Sequence, residues 1–243
     1  MNEGYGAVIP LDEKVKKIKF MFFDMEGTLF TKAVKNTHGI AASVWTKIAQ
    51  ELGPDALALE EMTKQKWNRG EYTGYIDWMR DTVLIHMAYS LKKDLFTKIV
   101  DDIEYNEGVE RTVRMLHNKD IQTGLISGGF ARQARKAAKE LHINHYLAAC
   151  DYFWDEKGYL SHWSLLPFDY KGKLDLMATL LRDLKLEKHE VGFVADGAND
   201  KYMAREVGLS IAYNAQQELK EASNFWLDGE DFSGILRFLA PHI

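Results

Sequence analysis

The chain has 243 residues, of which 46% are hydrophobic, and a formal net charge of −5. This length allows one large domain or a core with a smaller insert, and the composition is sufficient for a sizeable hydrophobic core. The negative charge and the lack of a lysine and arginine stripe argue against a nucleic-acid partner. No apolar stretch approaches the roughly 20 residues needed to span a bilayer, so we expect no membrane partner.

Cysteine content and the first residues bear on the compartment. Cys150 is the only cysteine, so no internal disulfide can form, which fits a reducing environment. Residues 1–5 carry neither the basic nor the apolar region of a signal peptide. We therefore expect a cytoplasmic protein, and the sequence leaves its oligomeric state open.

The first half of the chain is predicted to be mostly helical. Residues 1–16 are predicted to be a polar lead-in, and a first buried strand is predicted at about residues 18–23. Helical periodicity then continues to about residue 105. Four helices are predicted there: one that ends at Gly53-Pro54, one at about 55–70, one that begins near Thr73, and one at about 91–103.

Strands and helices alternate after Gly108, which predicts a parallel sheet with right-handed crossovers. The predicted elements are helix 109–118, strand 121–126, helix 130–141, strand 146–149, a hairpin at 153–160, helix 171–184, strands 191–195 and 209–213, and a possible last strand at 224–227. We predict an α/β fold with a Rossmann-like parallel-sheet core formed by residues 1–35 and 106–243. The helical segment, residues 36–105, is predicted to be an inserted cap.

Three predicted strands end in polar turns that contain glycine, beginning at Asp24, Ser127 and Asp196. Ligands bind beyond the carboxyl ends of parallel strands, where unpaired carboxylates are costly unless they bind or react. Carboxylates from two strands, Asp24 and Asp196, suit Mg²⁺. A hydroxyl, a backbone N–H and a lysine suit phosphate oxygens. The set predicts phosphoryl transfer, in which one carboxylate attacks phosphorus and its neighbour transfers protons.

In this order, the motifs resemble those of the haloacid dehalogenase superfamily, specifically its phosphoserine-phosphatase-like branch. The first motif of that branch is Asp-x-Asp-x-Thr, where this chain has Asp24-Met25-Glu26-Gly27-Thr28. Ser127-Gly128-Gly129 matches the second motif. The fourth is matched by residues 195–200, with Ala195 in place of its first glycine. A helical cap between the first two motifs is also the pattern of the branch.

The resemblance implies a role for each matching residue. Asp24 is expected to be the nucleophile and a ligand of Mg²⁺. Glu26 is expected to be the general acid/base, and its backbone carbonyl a further ligand. The third-motif lysine is expected to be Lys171, with Lys173 as the alternative. The other expected contacts are Ser127, Gly128 and Asn199 to the phosphate, Asp196 to Mg²⁺, and Asp200 to the lysine or to a metal-bound water.

The sequence specifies the substrate less closely. Arg80 in the cap is expected to meet a substrate carboxylate, with a surface ion pair as the alternative. Residues 31–35 include no acid, although phosphoserine phosphatases carry a glutamate there that binds the substrate ammonium. We predict a Mg²⁺-dependent phosphatase of a small, phosphoserine-like metabolite that acts through an aspartyl-phosphate. Two alternatives stay open: a phosphoserine:homoserine phosphotransferase, which Glu26 favours, and a non-catalytic phosphate-binding regulatory protein.

Overall fold

The computed structural model describes residues 4–15, 17–32, 43–168 and 171–243. The strands are β1 (Gly4–Ala7), β2 (Phe20–Phe23), β3 (Gln122–Phe130), β4 (His145–Trp154), β5 (Leu160–Leu165), β6 (Val191–Ala195), β7 (Leu209–Tyr213) and β8 (Phe225–Asp228). The helices are α1 (Val44–Leu52), α2 (Pro54–Asn68), α3 (Tyr75–Ala88), α4 (Lys93–Asp101), α5 (Val109–His117), α6 (Ala131–Glu140), α7 (Gly172–Leu184), α8 (Lys201–Glu206), α9 (Gln217–Lys220) and α10 (Leu236–Leu239).

The described strands form one sheet in the order β1-β8-β7-β6-β2-β3-β4-β5. Neighbouring strands from β8 to β4 are parallel, whereas β1 and β5 at the two edges run antiparallel to their neighbours. Every residue of β2 has an exposed fraction of 0%, as expected for a strand covered on both faces. The predicted α/β fold is therefore confirmed, and the carboxyl end of β2 lies between those of β3 and β6.

Two parts of the sheet differ from the prediction. The segment predicted to be a polar lead-in contains β1, which pairs with β8. Because β1 includes two glycines, it shows no alternation of apolar and polar residues that would predict a strand. A Cβ at Gly6 would lie 2.6 Å from Nε1 of Trp226, so glycine permits this close approach. The second motif also lies within β3, since this strand continues to Phe130 with a register shift after Ser127.

The helices before residue 105 follow the sequence closely. Helix α1 ends before Gly53, which has a φ of 124°, and Pro54 is the first residue of α2. Helix α3 begins at Tyr75, close to the predicted start near Thr73, and the Thr73 hydroxyl donates to Oδ2 of Asp77 in the first turn at 3.1 Å. Among the described residues, no helix is long and apolar enough to cross a membrane.

The division into core and cap remains a prediction. Its first boundary, at residue 36, lies outside the described residues. At the second, the Asn106 N–H donates to the Leu29 carbonyl oxygen at 2.8 Å, which returns the chain to the end of β2. A single hydrophobic cluster includes residues of both parts, for example Ile48 of α1 and Phe22 of β2.

His86 of α3 makes the stability of the fold depend on pH. Burial lowers its pKa to about 3, and its Nδ1 lies 2.8 Å from the Tyr152 hydroxyl oxygen. The pKa of histidine in an unfolded chain is about 6.5. Below that pH the unfolded chain binds a proton that the folded chain does not, so the stability present above about pH 6.5 is lost as the pH falls.

We expect the free energy of unfolding to fall by about 2 kcal/mol more for the wild type than for His86→Gln when the pH changes from 7.5 to 5.0. Urea unfolding of both proteins at the two pH values measures this difference. The other titrating groups are common to both proteins and cancel in the comparison. The same pH dependence in both proteins would contradict the assignment.

Candidate active site

Four acidic side chains meet where β2 and β6 end, and we call this group the acidic edge. Its members are Asp24, Glu26, Asp196 and Asp200. Asp24 follows β2 directly and its N–H donates to the Val194 carbonyl oxygen of β6 at 3.0 Å. Three of the four are buried, with exposed fractions of 8% for Asp24, 6% for Asp196 and 0% for Asp200. The first and fourth motifs therefore converge, as their positions after parallel strands predicted.

Gly27 allows the turn after β2 to approach β6. Its φ is 79°, in the left-handed region that favours glycine. A Cβ at this position would lie 2.2 Å from Oδ2 of Asp196. The hydroxyl of Thr28, two residues after Glu26, donates a hydrogen bond to Oδ1 of Asp196 at 3.4 Å. A side chain at position 27 would therefore force the two turns apart.

The structure places Lys173, the alternative, beside Asp24 and Asp200, and not the expected Lys171. Lys173 has an exposed fraction of 1%, and its Nζ lies 3.1 Å from Oδ1 of Asp24 and 2.6 Å from Oδ1 of Asp200. Burial lowers its pKa, but the charges of Asp200 and Asp24 outweigh burial and raise it. Lys171 is exposed and lies just before α7. Positions two apart on a helix differ by about 200°, so only one of these lysines can face the sheet.

Burial gives the acidic edge a high affinity for protons. It raises the pKa of Glu26 to about 8, with further contributions from the charges of Asp24 and Asp196, although the Val44 N–H bonded to Glu26 opposes the shift. Burial also raises the pKa of Asp196 to about 6, opposed by Lys32. The pKa of Asp200 is raised for the same reason and is held down by Lys173. Without further positive charge, these acids cannot all ionise at neutral pH.

Lys32 is a residue that sequence reasoning did not assign to the site. Its Nζ lies 2.8 Å from Oδ2 of Asp196, while its side chain is 41% exposed. In the sequence, Lys32 stands six positions after Glu26, in the loop that follows the first motif, and this position could have indicated a role near the acidic edge. Lys32 therefore lies where a cation bound to Asp196 would compete with it.

The acidic edge fits Mg²⁺. Its four carboxylates face two described ammonium groups, those of Lys32 and Lys173, which leaves two negative charges when all are ionised. Within the described residues, Oδ2 of Asp200 accepts no hydrogen bond although it is buried. No group of three described His, Cys, Asp or Glu side chains forms a metal site. The ligand set that the resemblance implies, the carboxylates of Asp24 and Asp196 with the Glu26 carbonyl, would hold Mg²⁺ here. Such hard oxygen ligands are those that Mg²⁺ prefers.

A cavity of about 400 Å³ opens above the acidic edge. The expected phosphate contacts Ser127, Gly128 and Asn199 all line it, together with Asp24 and Lys173. The Ser127 hydroxyl oxygen accepts the Gly129 N–H at 3.2 Å, which orients this side chain on β3. The structure thus brings the expected phosphate contacts to the same space as the expected nucleophile.

Arg80 does not line this cavity, and the structure instead favours the alternative of a surface ion pair. Its side chain is 52% exposed and pairs with Asp77 of the same helix. Helix α3 turns Tyr75, Met79 and Thr82 toward the cavity, a spacing of three and four residues that defines one helix face. Arg80, one position beyond Met79, is rotated by about 100° from that face.

Sequence reasoning also missed groups that complete the cavity from the cap side and from the last loop. The Trp45 indole N–H donates to the Gly128 carbonyl oxygen at 3.3 Å, and the Tyr75 hydroxyl lies 3.5 Å from the same oxygen. The Oε1 of Gln216 accepts the Ala198 N–H at 2.8 Å. The helical spacing of the aromatic residues in the predicted cap is as typical of a hydrophobic core as of a cavity lining.

Comparison with known proteins agrees with this geometry. The haloacid dehalogenase-like hydrolase family matches residues 18–208. The phosphoserine phosphatase of Lactococcus lactis subsp. lactis is 27% identical over 222 residues, covering 90% of this chain and 94% of the relative. The phosphoserine phosphatase of Methanocaldococcus jannaschii is 27% identical over 230 residues, covering 92% and 99%.

A solved structure described as a phospho-aspartyl intermediate analogue of phosphoserine phosphatase has a TM-score of 0.74 with this chain. It is 22% identical and covers 92% of this chain and 100% of its own. This likeness establishes the shared fold. The chain belongs to the haloacid dehalogenase-like hydrolase family, and it is therefore an enzyme of the hydrolase class.

Replacing the buried lysine should destabilise the fold. We expect Lys173→Met to lower the free energy of unfolding by about 3–5 kcal/mol, because it leaves Asp24 and Asp200 buried without their cation. Lys171→Met is the matched control and should change it by less than about 0.5 kcal/mol. Urea unfolding at pH 7.5 without divalent cations measures both. Equal effects of the two substitutions would contradict the assignment of Lys173.

Proposed function

We propose that this chain is a Mg²⁺-dependent phosphomonoesterase that hydrolyses a small phosphorylated metabolite through an aspartyl-phosphate. The observation that carries this proposal is the ammonium of Lys173 between Asp24 and Asp200, at the base of a cavity that Ser127 and Gly128 also line. A phosphate monoester in this cavity would meet a carboxylate, an ammonium group, a hydroxyl and a backbone N–H. The similarity to proteins named phosphoserine phosphatase supports the same reaction class.

In the first step, a carboxylate oxygen of Asp24 attacks phosphorus. The bond between phosphorus and the ester oxygen breaks, and its electron pair passes to the leaving oxygen, which takes the proton of Glu26. The pKa of about 8 that burial gives Glu26 keeps this proton available at neutral pH, as a general acid requires. Lys173 balances the charge beside the nucleophile.

In the second step, a water molecule attacks the phosphorus of the aspartyl-phosphate. Glu26, now a carboxylate, takes a proton from that water, and the bond between phosphorus and the Asp24 oxygen breaks. Inorganic phosphate leaves and both side chains return to their initial states. Asp24, Asp196 and the Glu26 carbonyl would hold Mg²⁺, which would supply positive charge that stabilises the phosphate oxygens.

A cytoplasmic location belongs to the same proposal. Cys150, the only cysteine in the sequence, is free and buried, which agrees with a reducing compartment. A small phosphomonoester is the partner that the cavity volume of about 400 Å³ supports.

Removing the nucleophile should abolish turnover. We expect Asp24→Asn, which preserves side-chain size, to lower kcat for p-nitrophenyl phosphate by about 10⁴-fold or more in the presence of Mg²⁺. A chelator should abolish wild-type activity, and added Mg²⁺ should restore it. Undiminished turnover by Asp24→Asn would contradict the proposal. Formation of phosphohomoserine when homoserine is supplied would instead support the phosphotransfer alternative.

Glu26 can be tested through the leaving group. Glutamine at position 26 still accepts the Val44 N–H but cannot donate an acidic proton. We expect Glu26→Gln to lower kcat/KM for an alkyl phosphate by about 10²–10⁴-fold. The loss should be much smaller for p-nitrophenyl phosphate, whose leaving group needs no proton. Equal losses for the two substrates would contradict a role as general acid.

A further inference from the structure

The cavity has a second half that the proposed reaction does not use. Asp24, Glu26, Asp196, Lys173 and the second motif line its base, whereas helices α1 to α3 line the opposite side. The cap residues that matter here are Trp45, Glu60, Trp67, Tyr75, Trp78 and Met79. A phosphate at the base would point its leaving group at these side chains, so their chemistry bears on the substrate.

Aromatic rings dominate this side, and we call Trp45, Trp67, Tyr75 and Trp78 the cap wall. Trp67 and Trp78 stack with ring centroids 4.8 Å apart, and Tyr75 meets both edge-on at 6.3 and 5.9 Å. The indole N–H of Trp78 donates to the Thr63 hydroxyl at 3.1 Å, and that of Trp45 to the Gly128 carbonyl. These polar tips are used within the protein. Trp45 also packs on His86 and Phe130, so the half-buried rings of Trp67 and Trp78 offer the surface that a leaving group could contact.

Glu60 is the charged member of this side. Its side chain is 2% exposed, and its Oε1 accepts hydrogen bonds from Lys64 at 2.9 Å and from the Thr46 hydroxyl at 3.3 Å. Its Oε2 is buried and accepts no hydrogen bond from any described residue. A buried carboxylate oxygen without a donor is costly, so Oε2 would be stabilised by a positively charged or N–H partner.

The described lining offers no free cation for a second anionic group. Helices α1 to α3 contribute neither lysine nor arginine to it, since Lys64 lies behind Glu60. The two described lysines at the base, Lys32 and Lys173, each pair with carboxylates of the acidic edge. Among the described lining residues, a carboxylate on the leaving group would therefore meet aromatic rings and Glu60.

We infer that the substrate is the phosphate monoester of an amino alcohol, whose leaving group carries a positively charged amine and no second anion. The inference rests on the proposed phosphatase reaction and assigns the leaving-group side of the same cavity. Aromatic rings attract cations through their negative faces, and Glu60 adds a carboxylate beside them. Hydrolysis adds water across the phosphorus–oxygen bond and releases the amino alcohol with inorganic phosphate.

Matched substrates test this inference. Phosphocholine and 3,3-dimethylbutyl phosphate have the same shape, but only the first carries a positive charge. We expect kcat/KM to be about 5- to 30-fold higher for phosphocholine, the range of a cation on desolvated aromatic rings. Phosphoethanolamine and phosphoserine differ by one carboxylate, and we expect phosphoethanolamine to be favoured by about tenfold or more.

The failures of the two proposals can be distinguished. Turnover of p-nitrophenyl phosphate tests the phosphatase reaction without a cationic leaving group. If that compound and all four test compounds are inert, the proposed function fails. If p-nitrophenyl phosphate is hydrolysed but the neutral isostere equals phosphocholine, or phosphoserine equals phosphoethanolamine, the inference alone is overturned.

Two variants locate the preference in the cap wall. Trp67→Leu should lower the ratio of phosphocholine to neutral-isostere kcat/KM by about fivefold or more. Trp163→Leu, which removes an equally half-buried indole from β5 outside the cavity, should leave the ratio unchanged. If Trp67→Leu does not fold, Glu60→Gln gives the second measurement, and its ratio should also fall. An unchanged ratio in the folded variant overturns the inference.

Discussion

The burial of the acidic edge is the constraint on which the rest of this site depends. Strands β2 and β6 are hydrophobic throughout and end against each other, so whatever follows them is withdrawn from water. Carboxylates in that position carry a large desolvation cost. Lys173 offsets part of it by bridging two strand-end turns, and Lys32 offsets a further part from the loop after the first motif. The remaining negative charge is what the proposed divalent cation would balance.

The helices before residue 105 take part in this site through specific atoms. The N–H of Val44, the first residue of α1, donates to Oε2 of Glu26 at 2.9 Å. Trp45 and Tyr75 both contact the Gly128 carbonyl oxygen from the cap side. Helices α1 and α3 are therefore joined to Glu26 and to β3 by direct contacts. In the proposed reaction, these contacts would hold the acid/base residue and the phosphate-binding strand in place.

The sequence predicted the parts of this site that depend on strand ends. Asp24, Ser127 and Asp196 each terminate or extend a hydrophobic run, and parallel strands bring their ends to one edge. Choosing between Lys171 and Lys173 required the rotational phase of α7, which depends on where that helix begins. The spacing Lys-Gly-Lys contains no such information, because two residues separated by about 200° fit a helix start equally well.

Other errors have the same origin in tertiary packing. Arg80 was chosen for its chemistry, but the face of α3 is set by Tyr75 and Met79 packing inward. Strand β1 shows no alternation of apolar and polar residues. It pairs with the edge of β8, and its glycines pack against Trp226. The aromatic cap residues could not be separated from core residues by spacing alone. Only the cavity shows that they surround open space.

Glu26 shows how the two sides of the cavity together determine one chemical property. Its side chain is longer by one methylene than that of the aspartate usual at this position, and its carboxyl group reaches the start of α1. A backbone N–H at a helix N-terminus favours the ionised carboxylate, whereas burial and the charges of Asp24 and Asp196 favour the protonated form. The protonated form prevails, with a pKa of about 8. Burial is the largest influence on the proton affinity of Glu26, and the Val44 N–H from α1 and the charges of the acidic edge adjust it in opposite directions.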